Sequence, residues 1–295
     1  MKILNLGSCC IDHVYHVPHF SQPGETLPCT SYEVHPGGKG LNQSLAIARA
    51  GAAVHHAGKV GKDGLWLKEL LDDAGVDTSL LLVADEPTAH AIIQVNPQGE
   101  NSIVQFGGTN KMIAVDEITS AIDSCAAGDV LVLQNEISHL DQAMQLAMER
   151  GLRIVFNAAP MTAEVTALPL ADLDLLLVNE IEGEAISGAR EPDAILATLA
   201  EQLPSVNIVL TLGEAGAQYM GPAGQFSVAA PAVQAVDSTG AGDTFTGYFV
   251  AEYSKGTEIE TALTIACTAA AVSVTRAGAA SSIPARSELA IAPLL

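Results

Sequence analysis

The sequence predicts an α/β fold, a mostly parallel central sheet covered by helices in three α/β/α layers, with a small β-sheet lid beside it. Three observations lead there. Short apolar runs without polar alternation recur along the chain, amphipathic helical stretches lie between them, and two segments break that rhythm with strand-like alternation and no helix.

The apolar runs are Ile3 to Gly7, Val130 to Leu133, Arg153 to Phe156, Leu173 to Val178 and Ile208 to Leu212. Their lack of polar alternation suits strands buried on both faces of a parallel sheet. The helical stretches are Leu41 to Ala50, Leu65 to Ala74, Asp141 to Arg150 and Pro192 to Gln202, so the order reads as successive βαβ units. The exceptions are Asp12 to Val34 and Thr88 to Gly107. In the second, His90, Ile92, Gln94 and Asn96 alternate with Ala91, Ile93 and Val95 before the turn-like Asn96-Pro97-Gln98-Gly99. A small sheet from residues 12–34 and 88–107 would serve as a lid over a cleft, and its exposed face could pair two subunits as a homodimer.

With 295 residues and no internal repeat, the chain can form one domain over residues 1–295 that buries roughly 75% of its unfolded surface. The balance of 13 Lys and Arg against 34 Asp and Glu gives a net charge of -21, which repels nucleic acid and anionic membrane faces. An enzyme with this surface that binds a polyphosphate must hold it with backbone amides and a bound cation. Met1-Lys2-Ile3-Leu4 enters a strand at once, without a cleavable leader pattern. The longest Ala-rich stretch, Ala262 to Thr275, is interrupted by threonines and too short for a bilayer. Five cysteines, without a CxxC pair, suit reduced thiols in the cytoplasm, and adjacent Cys9 and Cys10 are expected on opposite faces of a strand.

Chemistry concentrates in two glycine-rich segments. Asp237-Ser238-Thr239-Gly240-Ala241-Gly242-Asp243 runs into the helical pattern of Thr244 to Val250. Gly240 and Gly242 permit dihedrals that converge successive N–H groups, and a helix opening there adds its positive end, a site for phosphate oxygens. Asp243, beside such a phosphoryl group, could take the proton of an attacking hydroxyl. Taken alone, the pattern equally suits a turn with Asp243 as an N-cap. Pro36-Gly37-Gly38-Lys39-Gly40-Leu41-Asn42-Gln43 also opens a helix; its glycines allow a polyhydroxy ligand to approach, and Lys39 and Asn42 offer donors. Gly40 after the lysine rules out a Walker A loop, and on its own the segment could be a plain strand-to-helix turn.

Together, Gly-Gly-Lys-Gly-Leu-Asn-Gln near the N-terminus and Asp-Ser-Thr-Gly-Ala-Gly-Asp-Thr-Phe near the C-terminus resemble the paired signatures of the ribokinase (PfkB) family of carbohydrate kinases, over essentially the whole chain. The resemblance implies a ribokinase-like core of about nine strands with a β-sheet lid, and an ATP-dependent kinase acting on ribose or a related pentose. It implies sugar contacts from Asp12, Gly38, Lys39, Gly40, Asn42 and Glu136, with Cys10 in the same pocket. It gives Asp243 as the base, with an anion hole from the amides of Gly240, Ala241 and Gly242. Asn179 and Glu182 resemble the NxxE element near the Mg²⁺-ATP phosphates, a segment that would otherwise read as an acidic solvated loop. Thr211, Gly213 and Gly216 resemble a nucleotide-binding turn. A K⁺ site is implied at Asp237 with mainly main-chain oxygens near Thr239, Ser273, Gly278 and Ser282.

The chain departs from its relatives at Cys10, where ribokinases usually carry Asn, and at Ser238, where threonine is commoner. Losing one amide contact in a buried site costs about 1–3 kcal/mol for a substrate that needs it. Related acceptors are therefore a nucleoside, a ketohexose or a sugar acid, and a silent sugar-binding regulator is the alternative outside catalysis. The spacing of His13, His16 and His19 suggests a metal site, but residues three apart on a strand face opposite sides, so they read as lid or interface residues. His55 and His56 are expected to flank a strand, His35 to lie near the cleft without a defined role, and Asp72 and Asp73 to end a helix in solvent.

Overall fold

The computed structural model describes residues 1–289. The chain opens with β1 (Ile3–Leu6), β2 (Cys10–His16), β3 (Ser31–Gly37), α1 (Lys39–Arg49), β4 (Val54–Gly61), α2 (Leu65–Asp73) and β5 (Asp77–Ala84). There follow β6 (His90–Val95), β7 (Asn101–Phe106), α3 (Val115–Asp123), β8 (Val130–Gln134), α4 (Leu140–Arg150) and β9 (Arg153–Asn157). The remainder comprises β10 (Leu175–Asn179), α5 (Glu180–Ser187), α6 (Pro192–Gln202), β11 (Asn207–Thr211), β12 (Ala217–Gly221), β13 (Gly224–Val228), α7 (Ala241–Lys255) and α8 (Ile259–Ser273).

Nine strands form the central sheet in the order β13-β12-β11-β10-β9-β8-β1-β4-β5, parallel except for the antiparallel β12 and β13 at one edge. Each parallel strand feeds both sides. Ile3, Val130, Val132 and Leu177 join the core with Leu41, Leu45, Phe245, Phe249 and Leu263 of α1, α7 and α8. Leu4, Leu6, Leu131 and Phe156 point the other way, to Ile118, Met144, Ile195 and Leu199 of α3, α4 and α6. Burying each such side chain stabilises by about 1.5–3 kcal/mol, which is why these strands are apolar apart from residues at or near their carboxyl ends, such as Asn5 in β1. No helix among the described residues is long and apolar enough to cross a membrane.

The segments that break the βα rhythm form the separate sheet, ordered β3-β2-β6-β7. Its register puts Val34, His13, Ile92 and Val104 in one row across the four strands, and Asp12, His35, Ala91 and Gln105 on the opposite face. Tyr32, Val34, Ile92, Val104 and Phe106 on the first face are solvent-exposed.

Two expectations are corrected. His55 and His56 lie inside β4 rather than flanking it, because the strand starts at Val54; His55 pairs with Asp77 at 3.1 Å, whereas His56 turns inward and is fully buried. Cys9 precedes β2, so Cys9 and Cys10 are not opposed across a strand; both are buried, and all five cysteines are free. His13 and His16 do sit three apart on β2, while His19 lies beyond the strand against Glu25.

Candidate active site

On the face of the sheet that packs against α1 and α7, each central strand carries a polar residue at or near its carboxyl end. These are Asn5 in β1, Gln134 in β8, Asn157 in β9, Asn179 in β10 and Thr211 in β11. The N-termini of α1, α5 and α7 open at the same edge, where parallel α/β sheets bind ligands. A cavity of about 260 Å³ there is lined by Lys39, Asn157, Asn179, Glu182, Thr211, Gly240, Gly242, Asp243 and their neighbours.

Gly240 caps α7 in the left-handed region, with φ 74°. A Cβ there would lie 3.0 Å from the backbone of Ala279, so both dihedral and space call for glycine. Ala241 N–H donates to Ser238 O at 3.2 Å and is thereby engaged within the turn, leaving the first-turn amides of Gly242 and Asp243 to head the helix. Asp243 is the third helical residue, not the N-cap, and is 7% exposed. Asn42 Nδ2 donates to its Oδ2 at 3.0 Å and Gln43 Nε2 donates to its Oδ1 at 3.0 Å. The two glycine-rich segments, some 200 residues apart in the chain, therefore meet at one carboxylate.

The opening of α1 is built around Glu136 in the β8–α4 loop, whose Oε2 accepts from Lys39 N–H at 2.9 Å and from the Ser8 hydroxyl. A carboxylate at a helix N-terminus is favoured by the helix dipole. Gly40 packs directly on the backbone of Gly7 and Ser8, where a Cβ has no room. Asn42 is 5% exposed and its Oδ1 has no protein partner. Asp12 lies next to Cys10 and Gly37; burial pushes its carboxyl above the ordinary range and Glu136 adds to this, while the Cys10 and His35 contacts oppose it. Burial, reinforced by Asp12, drives the Cys10 thiol far upward and keeps it protonated.

On the other side of the cavity, Asn179 Oδ1 accepts from Glu182 N–H at 2.9 Å and Glu182 Oε2 accepts from Asn179 N–H at 2.9 Å, a capping box that starts α5. The segment is thus a helix start with Glu182 only 5% exposed, not a solvated loop. Burial lifts the Glu182 carboxyl above its usual value. Asp243 raises the Lys39 ammonium, against burial and with help from Glu136 and Glu182. Thr211 reaches the cavity, whereas Gly213 and Gly216 shape the turn from β11 to β12 outside its lining.

Asp237 accepts from Thr239 N–H at 2.9 Å, Thr239 Oγ1 at 2.6 Å and Gly278 N–H at 2.8 Å. Burial raises its carboxyl, but these hydrogen bonds outweigh it and hold the group below the usual range. The Ser273 and Ser282 hydroxyls are spent on Ala270 O and Ala279 O. No group of three or more His, Cys, Asp or Glu among the described residues could hold a metal ion. Asp237, ionised and joined to the 274–282 segment through Val274 O and Gly278 N–H, is the residue here that could hold a monovalent cation.

Sequence reasoning gave no role to Ser8, Gln43, Gln134 and Asn157. A signal was present: the runs VLVLQ, RIVFN, LLLVN and NIVLT each end in an amide or hydroxyl at the binding edge.

Comparison with known proteins gives a consistent result. The chain matches the profile of the pfkB family carbohydrate kinases over residues 1–286. The ribokinase of Haemophilus influenzae is 36% identical over 293 residues, covering 96% of this chain and 95% of its own. The ribokinase structure of Thermotoga maritima superimposes with a TM-score of 0.88 at 33% identity and 98% coverage of both chains. That of Arabidopsis thaliana, complexed with ribose and ATP, gives 0.85 at 27% identity over 98% of this chain and 97% of that one.

Proposed function

Because the chain belongs to the pfkB family of carbohydrate kinases, we propose that it transfers the γ-phosphoryl group of ATP to a hydroxyl of ribose or a closely related pentose, with Asp243 as general base. The observation that carries this reading is the position of Asp243. It is a buried carboxylate in the first turn of a helix that opens on the cavity, held by Asn42 and Gln43 from the opposite glycine-rich segment.

In this reading the sugar lies between α1 and the lid, where Asp12 and Asn42 Oδ1 accept its hydroxyl protons. The unpartnered Asn42 Oδ1 needs such a donor, since an unmade buried hydrogen bond costs about 1–3 kcal/mol. Asp243 takes the proton of the attacking hydroxyl, and the amides of Gly242 and its neighbours receive charge from the transferring group. Lys39 adds a cation on the same side. Mg²⁺ bound with ATP would supply charge neutralisation near Asn179 and Glu182, and K⁺ at Asp237 would order the loop before α7. The exposed apolar face of the lid, opposite Asp12, suits a homodimer contact. Five free cysteines are in keeping with a cytoplasmic setting.

An ADP-release assay with Mg²⁺ and K⁺, run on ribose, 2-deoxyribose, a nucleoside, a ketohexose and a sugar acid, tests the reading. Turnover greatest on a pentose is expected; absence of ATP-dependent turnover on every pentose sinks it.

A further inference from the structure

Behind Asp243 runs a chain of side-chain amides whose direction is fixed at both ends. Asn5 Nδ2 donates to Gly40 O at 2.8 Å, and because a backbone carbonyl can only accept, Asn5 must turn its Oδ1 away. That oxygen receives Gln134 Nε2 at 2.9 Å. The same Nε2 donates to Gln43 Oε1 at 2.8 Å, which leaves Gln43 Nε2 to face Asp243 Oδ1 at 3.0 Å and Asn157 Oδ1 at 3.1 Å. Asn157 is set by its own Nδ2, which reaches Leu177 O at 3.4 Å. Asn5, Gln43 and Gln134 have no exposure to solvent.

The arrangement leaves Gln134 Oε1 buried and without a partner, pressed towards Gly7. Turning Gln134 over would set its oxygen against Asn5 Oδ1 and Gln43 Oε1, so the orphan acceptor is the lesser penalty. An apolar residue at 134 would avoid it altogether, and the fold retains it where it orients Gln43.

We infer that Gln43 is a positioning residue for the base, its amide directed by Gln134 and Asn5 so that a donor, never an acceptor, meets Asp243 Oδ1. This rests on the assignment of Asp243 as the base. The charged groups near Asp243 are Lys39 at the start of α1 and Glu182 in α5; Gln43 is neutral and acts by its orientation.

Gln43→Glu, close in volume, replaces the donor with a carboxylate against Asp243. The expected result is a fall in kcat at pH 7 of at least about tenfold, with KM for the sugar within about threefold. The acidic limb of the kcat/KM profile should move up by about one pH unit or more. Gln43→Met, neutral and of similar length, should lower kcat in the same direction and decides the matter if the Glu variant does not fold. Circular dichroism and ATP binding certify the fold. A folded Met or Glu variant with wild-type kcat and an unmoved acidic limb overturns the inference. Asp243→Asn measured alongside separates the two levels: if it also retains activity, the base assignment itself has failed, whereas if it alone is inactive only the role of Gln43 has.

Discussion

Asp243→Asn keeps the shape of the side chain and removes the proposed base. Loss of general-base assistance is worth about 10²–10⁴-fold in kcat, or roughly 2.7–5.5 kcal/mol of barrier. The structural side effect can be worked from the contacts. Asp243 accepts on both oxygens, from Asn42 and from Gln43, whereas an amide can accept on only one. Gln43 is locked by its own partners, so the new oxygen faces Gln43 and the new NH₂ faces Asn42. Asn42 has an unpartnered Oδ1 and can rotate its amide to receive that NH₂. The stability cost should then stay within about 1 kcal/mol, a few degrees in Tm for a chain of this size. KM for the sugar should rise modestly, because Asn42 no longer offers the cleft the same atom. The assay is ADP release at saturating ATP and sugar, with sugar binding by calorimetry. A kcat within threefold of wild type would refute the base role. A loss of sugar binding large enough to account for the whole effect would refute it equally.

Three further outcomes are expected. Gly240→Ala forces an L residue to φ 74° with its Cβ 3.0 Å from Ala279; strain of about 1–3 kcal/mol should lower Tm and raise KM for ATP several-fold, and wild-type ATP kinetics would contradict the anion-cradle role. Cys10→Asn supplies the absent amide beside Asp12 and should shift the kcat/KM ratio of ribose over 2-deoxyribose by about 5- to 150-fold, the equivalent of about 1–3 kcal/mol; an unchanged ratio removes Cys10 from acceptor choice. Burial holds the His56 imidazole down to about 4, so below the unfolded value of about 6.5 the unfolded chain binds the extra proton, and stability falls by roughly 3 kcal/mol as pH drops from about 6.5 to about 4. Urea unfolding across that window should show the loss in the wild type and a shallower one in His56→Gln.

How much of this was legible depended on whether one segment carried the signal. The alternation of apolar runs and helical stretches yields the central sheet, because strands buried on both faces are predominantly apolar. Pro192 to Gln202 is helical to the residue, since Pro at the first helical position marks its start. Asp243 was visible because glycines and a carboxylate stand together in seven residues. Gln43 was quoted within its motif without a role, and Gln134 and Asn157 were not singled out, because their task exists only once α1 is laid over β8 and β9. His56 was misjudged for a similar reason. Next to His55 it reads as a polar pair at a strand end, yet Ser44 Oγ at 2.8 Å and Cys9 Sγ at 3.4 Å give it a buried place. Ser44 Oγ accepts from Asn5 Nδ2 at 2.7 Å as well as meeting His56 Nδ1, and burial holds the imidazole in its neutral form.

The net charge of -21 bears on how a polyanionic nucleotide reaches such a site. Among the described residues lining the cavity, Lys39 is the one cationic side chain, against the carboxylates of Glu182 and Asp243. Attraction must therefore come from helix N-termini and bound cations, which act over the first turn and not across the solvent. At long range the surface repels ATP. Raising ionic strength shortens that repulsion, from a Debye length of about 30 Å at 0.01 M to about 8 Å at 0.15 M, while leaving the close amide contacts nearly untouched. With Mg²⁺ and K⁺ held fixed and tetramethylammonium chloride added, kcat/KM for ATP should stay level or rise. A steep fall over the same range would mean that a positive field guides the nucleotide in, and the reliance on backbone dipoles would have to be abandoned.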